Sequence, residues 1–174
     1  MLNLSDNEIK DISILEKVQF INLKVLNLSY NKINDIKIFK SCSFNKLYEL
    51  NLSENRIGNI DILSETKFYD LFELNVSFNK IKNINFLENI PFNEIEIISF
   101  RGNKISDISI FNNVKIYYLQ EIDLSENEIK DISVLDNENI FGEIKYIDLR
   151  DNDIDMDNKN NKLIIEKYKN KIEI

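Results

Sequence analysis

The stretch Leu47-Tyr48-Glu49-Leu50-Asn51-Leu52-Ser53-Glu54-Asn55-Arg56-Ile57 decides how the chain folds, because close copies of it lie on both sides. Twenty-four residues later the same places hold Leu71, Leu74, Val76, Asn79 and Ile81, and the next copy holds Ile95, Ile98, Phe100, Asn103 and Ile105. The asparagine recurs at Asn7, Asn31, Asn55, Asn79, Asn103, Asn127 and Asn152, at intervals of 24, 24, 24, 24, 24 and 25 residues. Self-similarity at this period marks a stack of identical supersecondary units, each too small to bury its own apolar side.

Counting Leu47 as unit position 1 puts the asparagine at position 9 and apolar residues at positions 1, 4, 6, 11, 14, 17 and 22. Positions 4 and 6 alternate with polar residues, the period of a strand. Positions 14, 17 and 20 lie three apart, closer to a 3₁₀ turn than to an α-helix. Each unit therefore predicts a short strand, a turn and a loose helical return, with the stacked strands forming a parallel sheet on the concave side. At the bend after the strand, backbone groups lose their ladder partners. A buried asparagine, with both a donor and an acceptor, can serve them. Stacked coil on coil, these amides predict a ladder through the core.

The run Leu-x-x-Leu-x-Leu-x-x-Asn-x-Ile resembles the leucine-rich-repeat family. The extension Asp-Ile-Ser-x-Leu, at Asp11–Leu15 and again at Asp131–Leu135, resembles the subclass found in bacterial internalins and in the leucine-rich-repeat regulatory subunit of protein phosphatase 1. The resemblance runs from about Met1 to Ile154. It implies an α/β repeat solenoid: a right-handed superhelix of about seven 24-residue units over residues 1–157, followed by a cap or partial repeat over 158–174. The whole would be one domain, residues 1–174. Relatives commonly have slightly shorter units. Here the extra residues fall on the return side beside Phe20, Phe44, Phe68, Phe92, Ile116 and Ile140, which implies a bulkier convex side.

Composition narrows the function. A net charge of −8 disfavours nucleic acid and anionic membrane as partners. There is no histidine, so the commonest general base and metal ligand is missing, and no catalytic constellation or phosphate loop is present. The expectation is a non-enzyme with no cofactor and no metal. The single cysteine, Cys42, falls at unit position 20 and reads as a small core residue. The missing disulfides and leader segment lead to an expectation of a cytoplasmic protein or part of a longer one. Asn-x-Ser sequons at Asn3, Asn27, Asn51 and Asn75 point the same way, since glycans there would fill the concave groove. Met1 falls at unit position 3, so the first strand starts midway and has no cap, leaving an edge open to self-association.

Four features invite sharper readings. Asp151, Asp153, Asp155 and Asp157 begin like a calcium loop, but Met156 and Lys162 stand where glycine and a bidentate glutamate are required. Lys17-Val18-Gln19-Phe20 resembles a phosphatase-docking peptide, yet Val18 and Phe20 occupy core positions. Lys32, Arg56, Lys80 and Lys104 form a basic column after the asparagine, expected to balance acidic neighbours. The position-16 column of Ile14, Ile38, Ile62, Phe86, Ile110 and Val134 is expected to be buried by the widened return; otherwise it is an exposed apolar stripe.

The concave face supplies the candidate site. Positions 3, 5, 7 and 8 are expected to point out of the sheet. Positions 5 and 7 are monotone columns of Asn and Ser. The departures, with the aromatics just before the strands, are Tyr30, Tyr48, Glu54, Phe72, Phe78, Ile97 and Arg101. Aromatics beside an arginine and carboxylates are the residue types that anchor protein interfaces. The expectation is non-catalytic protein binding through this face. A phosphatase-regulatory subunit, by resemblance, and a self-assembly module stand as the alternatives.

Overall fold

In the computed structural model, which describes residues 1–92 and 94–174, the alternating positions of each unit are extended. They form β1 (Leu2–Asn3), β2 (Val25–Asn27), β3 (Glu49–Asn51), β4 (Glu73–Asn75), β5 (Ile97–Ser99), β6 (Glu121–Asp123), β7 (Tyr146–Asp148) and β8 (Ile172–Glu173). All eight pair in parallel, in chain order. The register is the repeat itself: Leu26 lies beside Leu50, Leu50 beside Leu74 and Leu74 beside Ile98. A slip of one residue would turn this whole row out of the core. The solenoid expected from the spacing is thus the observed architecture. The alternation of Ile172 and Ile174 adds an eighth strand beyond the seven asparagine-marked units.

Each return starts with an Asp or Asn whose carbonyl or carboxylate oxygen accepts the backbone N–H two residues on. Asp11 does so for Ser13, Asp35 for Lys37, Asp107 for Ser109 and Asp131 for Ser133, all at 2.8 Å. This side-chain turn competes with regular helix and starts the tight 3₁₀ turns at Ser13–Lys17, Lys37–Lys40, Asp61–Glu65, Asn85–Asn89, Ser109–Asn112 and Ser133–Asp136. The last two returns also hold α-helix: α1 (Glu138–Phe141) and α2 (Lys159–Lys167), capped by Asn137 and Asn158.

Between sheet and returns runs a continuous core of Leu, Ile and Phe from positions 4, 6, 11, 14 and 17. The Phe column stacks along it: ring centroids are 6.3 Å apart for Phe20–Phe44 and 6.2 Å for Phe44–Phe68. Cys42 is buried among these residues, and its thiol is pushed up to about 11 by burial and by the charge of Glu16.

The asparagine ladder is present and its chemistry repeats. Asn79 Nδ2 donates to Leu52 O at 2.9 Å in the preceding coil and to Val76 O and Ser77 O in its own, while its Oδ1 accepts Ile57 N–H at 2.9 Å. Asn31, Asn55, Asn103 and Asn127 make the same set of bonds. Asn152 is half-buried but keeps the pattern, whereas Asn7 is exposed and bonds only Leu4 O and Ser5 O. A further asparagine takes the role beyond the repeat. Asn161, fully buried on α2, donates to Lys130 O and Asp155 O at 2.9 Å and accepts Ile132 N–H.

Two expectations about exposure are corrected. The position-16 column is not uniformly buried: Phe86 and Val134 are, Ile38, Ile62 and Ile110 are half-buried, and Ile14 is 62% exposed. Ile14 belongs to the first coil, whose return packs on one neighbouring return only, whereas the return of Val134 also packs against the two α-helices. Position 7 does not face outward uniformly either: Arg101 is half-buried and Arg150 exposed, but the serines are turned in. Ser29, Ser53, Ser77 and Ser125 are buried. The position-5 side chain draws each of them in, as Asn27 Oδ1 does by accepting both Ser29 N–H at 3.0 Å and Ser29 Oγ–H at 2.7 Å.

Candidate functional site

The rim after the strands is built on an unusual backbone. Position 8 is left-handed in every coil, with φ of 57° at Asp6, 53° at Tyr30, 54° at Glu54, 53° at Phe78, 64° at Gly102, 52° at Glu126 and 57° at Asp151. A side chain in this region costs about 1–2 kcal/mol. Where position 5 is Asn or Asp both flanks are gripped: that side chain holds the position-7 N–H, and the position-9 asparagine holds the carbonyls of positions 6 and 7, whereas Ser99, before Gly102, bonds Ser77 and Asp123 instead. The chain is thereby turned so that Tyr30, 59% exposed, and Phe78, 37% exposed, stand on the rim.

Phe78 and Arg101 meet there. The guanidinium lies 5.4 Å from the Phe78 ring centroid and donates to Glu126 Oε1 from Nε at 3.0 Å and from Nη2 at 2.6 Å. The ring also covers Gly102, where an added Cβ would fall 2.4 Å from it. Tyr30 and Glu54 hold the same unit position in the two preceding coils.

On the rim before the strands, Tyr48 and Phe72 stack with centroids 4.7 Å apart and planes 7° from parallel. Beside them on the sheet, Glu49 pairs in register with Glu73, and Ile97 separates Glu73 from Glu121. Burial, with the charges of Glu49 and Glu121, raises the Glu73 carboxyl above its ordinary value. The seven candidate residues are therefore not one cluster. Tyr48, Phe72 and Ile97 lie at one end of the strands, and Tyr30, Glu54, Phe78 and Arg101 at the other. The six residue steps from Tyr48 to Glu54 span at most about 20 Å.

A third group was missed by sequence reading. Asp148, only 3% exposed, is held by Arg150 through Nη2 at 2.5 Å and Nε at 3.0 Å, while Arg150 Nε also lies 3.1 Å from Glu173. Burial opposes ionisation of Asp148, but the Arg150 guanidinium more than offsets it and keeps the carboxyl below its ordinary range. The phenol of Tyr146, 3.3 Å from Asp148, is pushed up to about 12 by burial and these carboxylates. Glu126 and Gly102 were missed as well, since their roles arise only between neighbouring coils. Tyr69, Tyr117 and Tyr118, each about half exposed, lie just before β4 and β6, outside the strand positions that repeat.

Comparison with known proteins agrees with this geometry. A family model described as leucine-rich repeats in two copies matches residues 1–41 and 21–65. An internalin (inlF) from Listeria monocytogenes superposes with a TM-score of 0.64 at 22% identity, over 85% of this chain and 47% of that one. The fold is that of a leucine-rich-repeat solenoid. Internalin C2 from Listeria monocytogenes aligns at TM-score 0.63 and 20% identity, over 88% of this chain and 72% of its own. A leucine-rich-repeat protein from Leptospira interrogans gives 0.64 and 21%, over 93% of this chain and 45% of its own. The solenoid thus spans about half the length of the first and third of these structures. No curated protein matches the chain in sequence.

The remaining motifs find their places in the solenoid. Val18 and Phe20 of the Lys17–Phe20 stretch pack against the core. Of the basic column, Lys32 alone is paired, with Glu8 at 2.6 Å. Arg56, Lys80 and Lys104 are exposed and make no ion pair among the described residues, so the expected charge balancing holds at one position only. The difference is in the preceding coil: Lys32 has Glu8 one unit before it, whereas Lys80 and Lys104 have cations there. In the acidic run, Asp155 accepts Asp157 N–H at 2.9 Å. Among the described residues no three His, Cys, Asp or Glu side chains converge as a metal site would require.

Proposed function

We propose that the chain is a non-catalytic protein-binding scaffold that works through its concave face. Leucine-rich-repeat proteins generally serve as protein-interaction scaffolds, and the neighbours in structure are of a generally non-enzymatic kind. One observation carries the reading. Exposed aromatics stand at both ends of the strands, on backbone held in place coil after coil by side-chain hydrogen bonds. A surface already ordered in this way loses little conformational freedom on docking, and aromatic anchors are what such docking uses. The reading goes with a compartment, such as the cytoplasm, in which Asn27, Asn51 and Asn75 carry no glycans. The phosphatase-regulator alternative rests on resemblance alone.

The test is affinity capture from the source cells with the native chain and with the triple variant Tyr30→Ala, Tyr48→Ala, Phe78→Ala. A partner retained by the first and lost by the second supports the concave face. The same proteins captured by both would overturn it. Light scattering on the free chain addresses the self-assembly alternative, for which growth in mass with concentration is the expected signature.

A further inference from the structure

The concave face separates its charges. Its two arginines are consumed within the fold, Arg101 by Glu126 and Arg150 by Asp148 and Glu173. Glu49, Glu73 and Glu121 have no such partner among the described residues: they form neither an ion pair nor a side-chain hydrogen bond. Glu49 and Glu73 are neighbours in register, so two like charges stand about 5 Å apart at the sheet spacing. Like charges directly opposite one another are unfavourable. No ion pair or side-chain hydrogen bond among the described residues relieves this pair.

The aromatic pair lies beside the same two strands. Tyr48 and Phe72 directly precede Glu49 and Glu73, and their rings are parallel, so one face of the Tyr48 ring turns away from Phe72. Tyr48 is 42% exposed. A flat apolar ring next to an uncompensated carboxylate pair offers two things at once: a π surface and a double acceptor. Guanidinium satisfies both, stacking on the ring and donating its parallel N–H groups to carboxylates. Ammonium satisfies only the charge. Beyond the pair, Ile97 gives an apolar contact and Glu121 a second acceptor, about 10 Å from Glu73 along the sheet.

We propose that the partner of this face is a protein segment bearing arginine, whose guanidinium seats on Tyr48 and between Glu49 and Glu73, with a second basic residue reaching Glu121. This rests on the concave-face reading and names the chemistry of the partner. The electrostatic complement is on the protein side already, in a chain of net charge −8 whose two concave arginines are spent internally.

The experiment uses the whole chain and a short synthetic peptide alternating arginine and serine, with lysine–serine and glutamate–serine peptides as comparisons. Binding is followed by fluorescence anisotropy, and by NMR shifts of Tyr48, Phe72 and Ile97. The expected result is binding in the order arginine over lysine, with none for glutamate, shifts centred on those three residues, and a loss of about tenfold or more in Glu49→Gln/Glu73→Gln. These substitutions keep size and remove repulsion, so the variant folds. Three results overturn the proposal: no binding of the arginine peptide, equal binding by the glutamine variant, or shifts scattered over other acidic surfaces. The two readings separate in the capture experiment. If the aromatic triple variant loses the partner while the glutamine variant keeps it, the concave face stands and the arginine assignment falls. If both variants keep it, both fall.

Discussion

The ring of Phe78 occupies the volume that any side chain at residue 102 would need: a Cβ on Gly102 would sit 2.4 Å from one ring carbon and 2.7 Å from the next. Residue 102 also has φ of 64°, so two separate demands fall on one glycine. Other coils accept Tyr, Glu, Phe or Asp in this backbone state, which leaves the neighbour's ring as the reason for glycine here. Gly102→Ala should destabilise the fold by about 2–4 kcal/mol through strain and overlap. In a Phe78→Ala background the same change should cost about 1–2 kcal/mol, the backbone part alone. Urea unfolding of the four species closes the cycle. Additive costs would mean that the ring simply swings away.

The ladder makes a position-dependent prediction. Asn79→Ala removes one side chain that serves four backbone groups in two coils. With about 1–3 kcal/mol for each buried group left unsatisfied, and partial relief by water, the expected loss is roughly 3 kcal/mol or more. Asn7→Ala removes two local bonds at an exposed site, and should fall within about 0.5 kcal/mol of the parent. Equal effects in denaturant titrations would remove the ladder from the account of stability.

The difference between these two asparagines shows what the sequence could and could not reveal. Period alone located Asn7 and Asn79 equally well, along with the first seven strands and the six 3₁₀ returns, because each unit repeats the same local choices. Burial at Asn79 comes from the coil on either side, and a periodic signal does not carry that. The left-handed position 8 was invisible for a related reason. Its residues, from Asp6 to Asp151, share no chemistry, and the conformation is imposed by hydrogen bonds from positions 5 and 9. The exposed aromatics of the candidate site were legible one by one. Their division between two rims was not, nor was the capture of Arg101 by Glu126, since both depend on pairing between residues a full coil apart. Asn161 escaped notice because it lies on a helix, outside the register that identified the others.

Arg150→Ala should give a pH-dependent loss. Asp148 ionises more readily in the fold than in the unfolded chain, so its contribution is present above the unfolded carboxyl value of about 3.9 and is lost as pH falls through the lower folded value. Removing the guanidinium leaves a 3%-exposed carboxylate with the Tyr146 hydroxyl and one backbone N–H. The expected cost is about 1–2 kcal/mol at neutral pH, shrinking as pH falls through the variant's carboxyl value and vanishing only below the lowered value of the parent. Melting curves of the two proteins, run side by side from neutral to acid pH, read this directly. A cost that does not change with pH would assign the role of Arg150 to packing of its stem against the last strands.

Glu73 has the opposite sign. Its folded value is raised by burial and by Glu49 and Glu121, so the fold prefers the neutral acid. That preference contributes fully below the unfolded value of about 4.3 and is lost as pH rises through the raised folded value. At neutral pH the ionised Glu73 is therefore a liability that glutamine does not carry. Glu73→Gln should be more stable than the parent at pH 7, by roughly a few tenths of a kcal/mol because the group is half-exposed and screened. The gap should close below about pH 4, where both side chains are neutral. Added salt should narrow it at pH 7 by screening the repulsion among the three carboxylates. The same liability gives an incoming cation its effect: a bound basic peptide should stabilise the parent more than the variant, measured as the difference between their melting shifts at one peptide concentration. A variant less stable than the parent at pH 7 would mean that Glu73 has a cation partner in solution, and that the column of carboxylates is already compensated without any visitor.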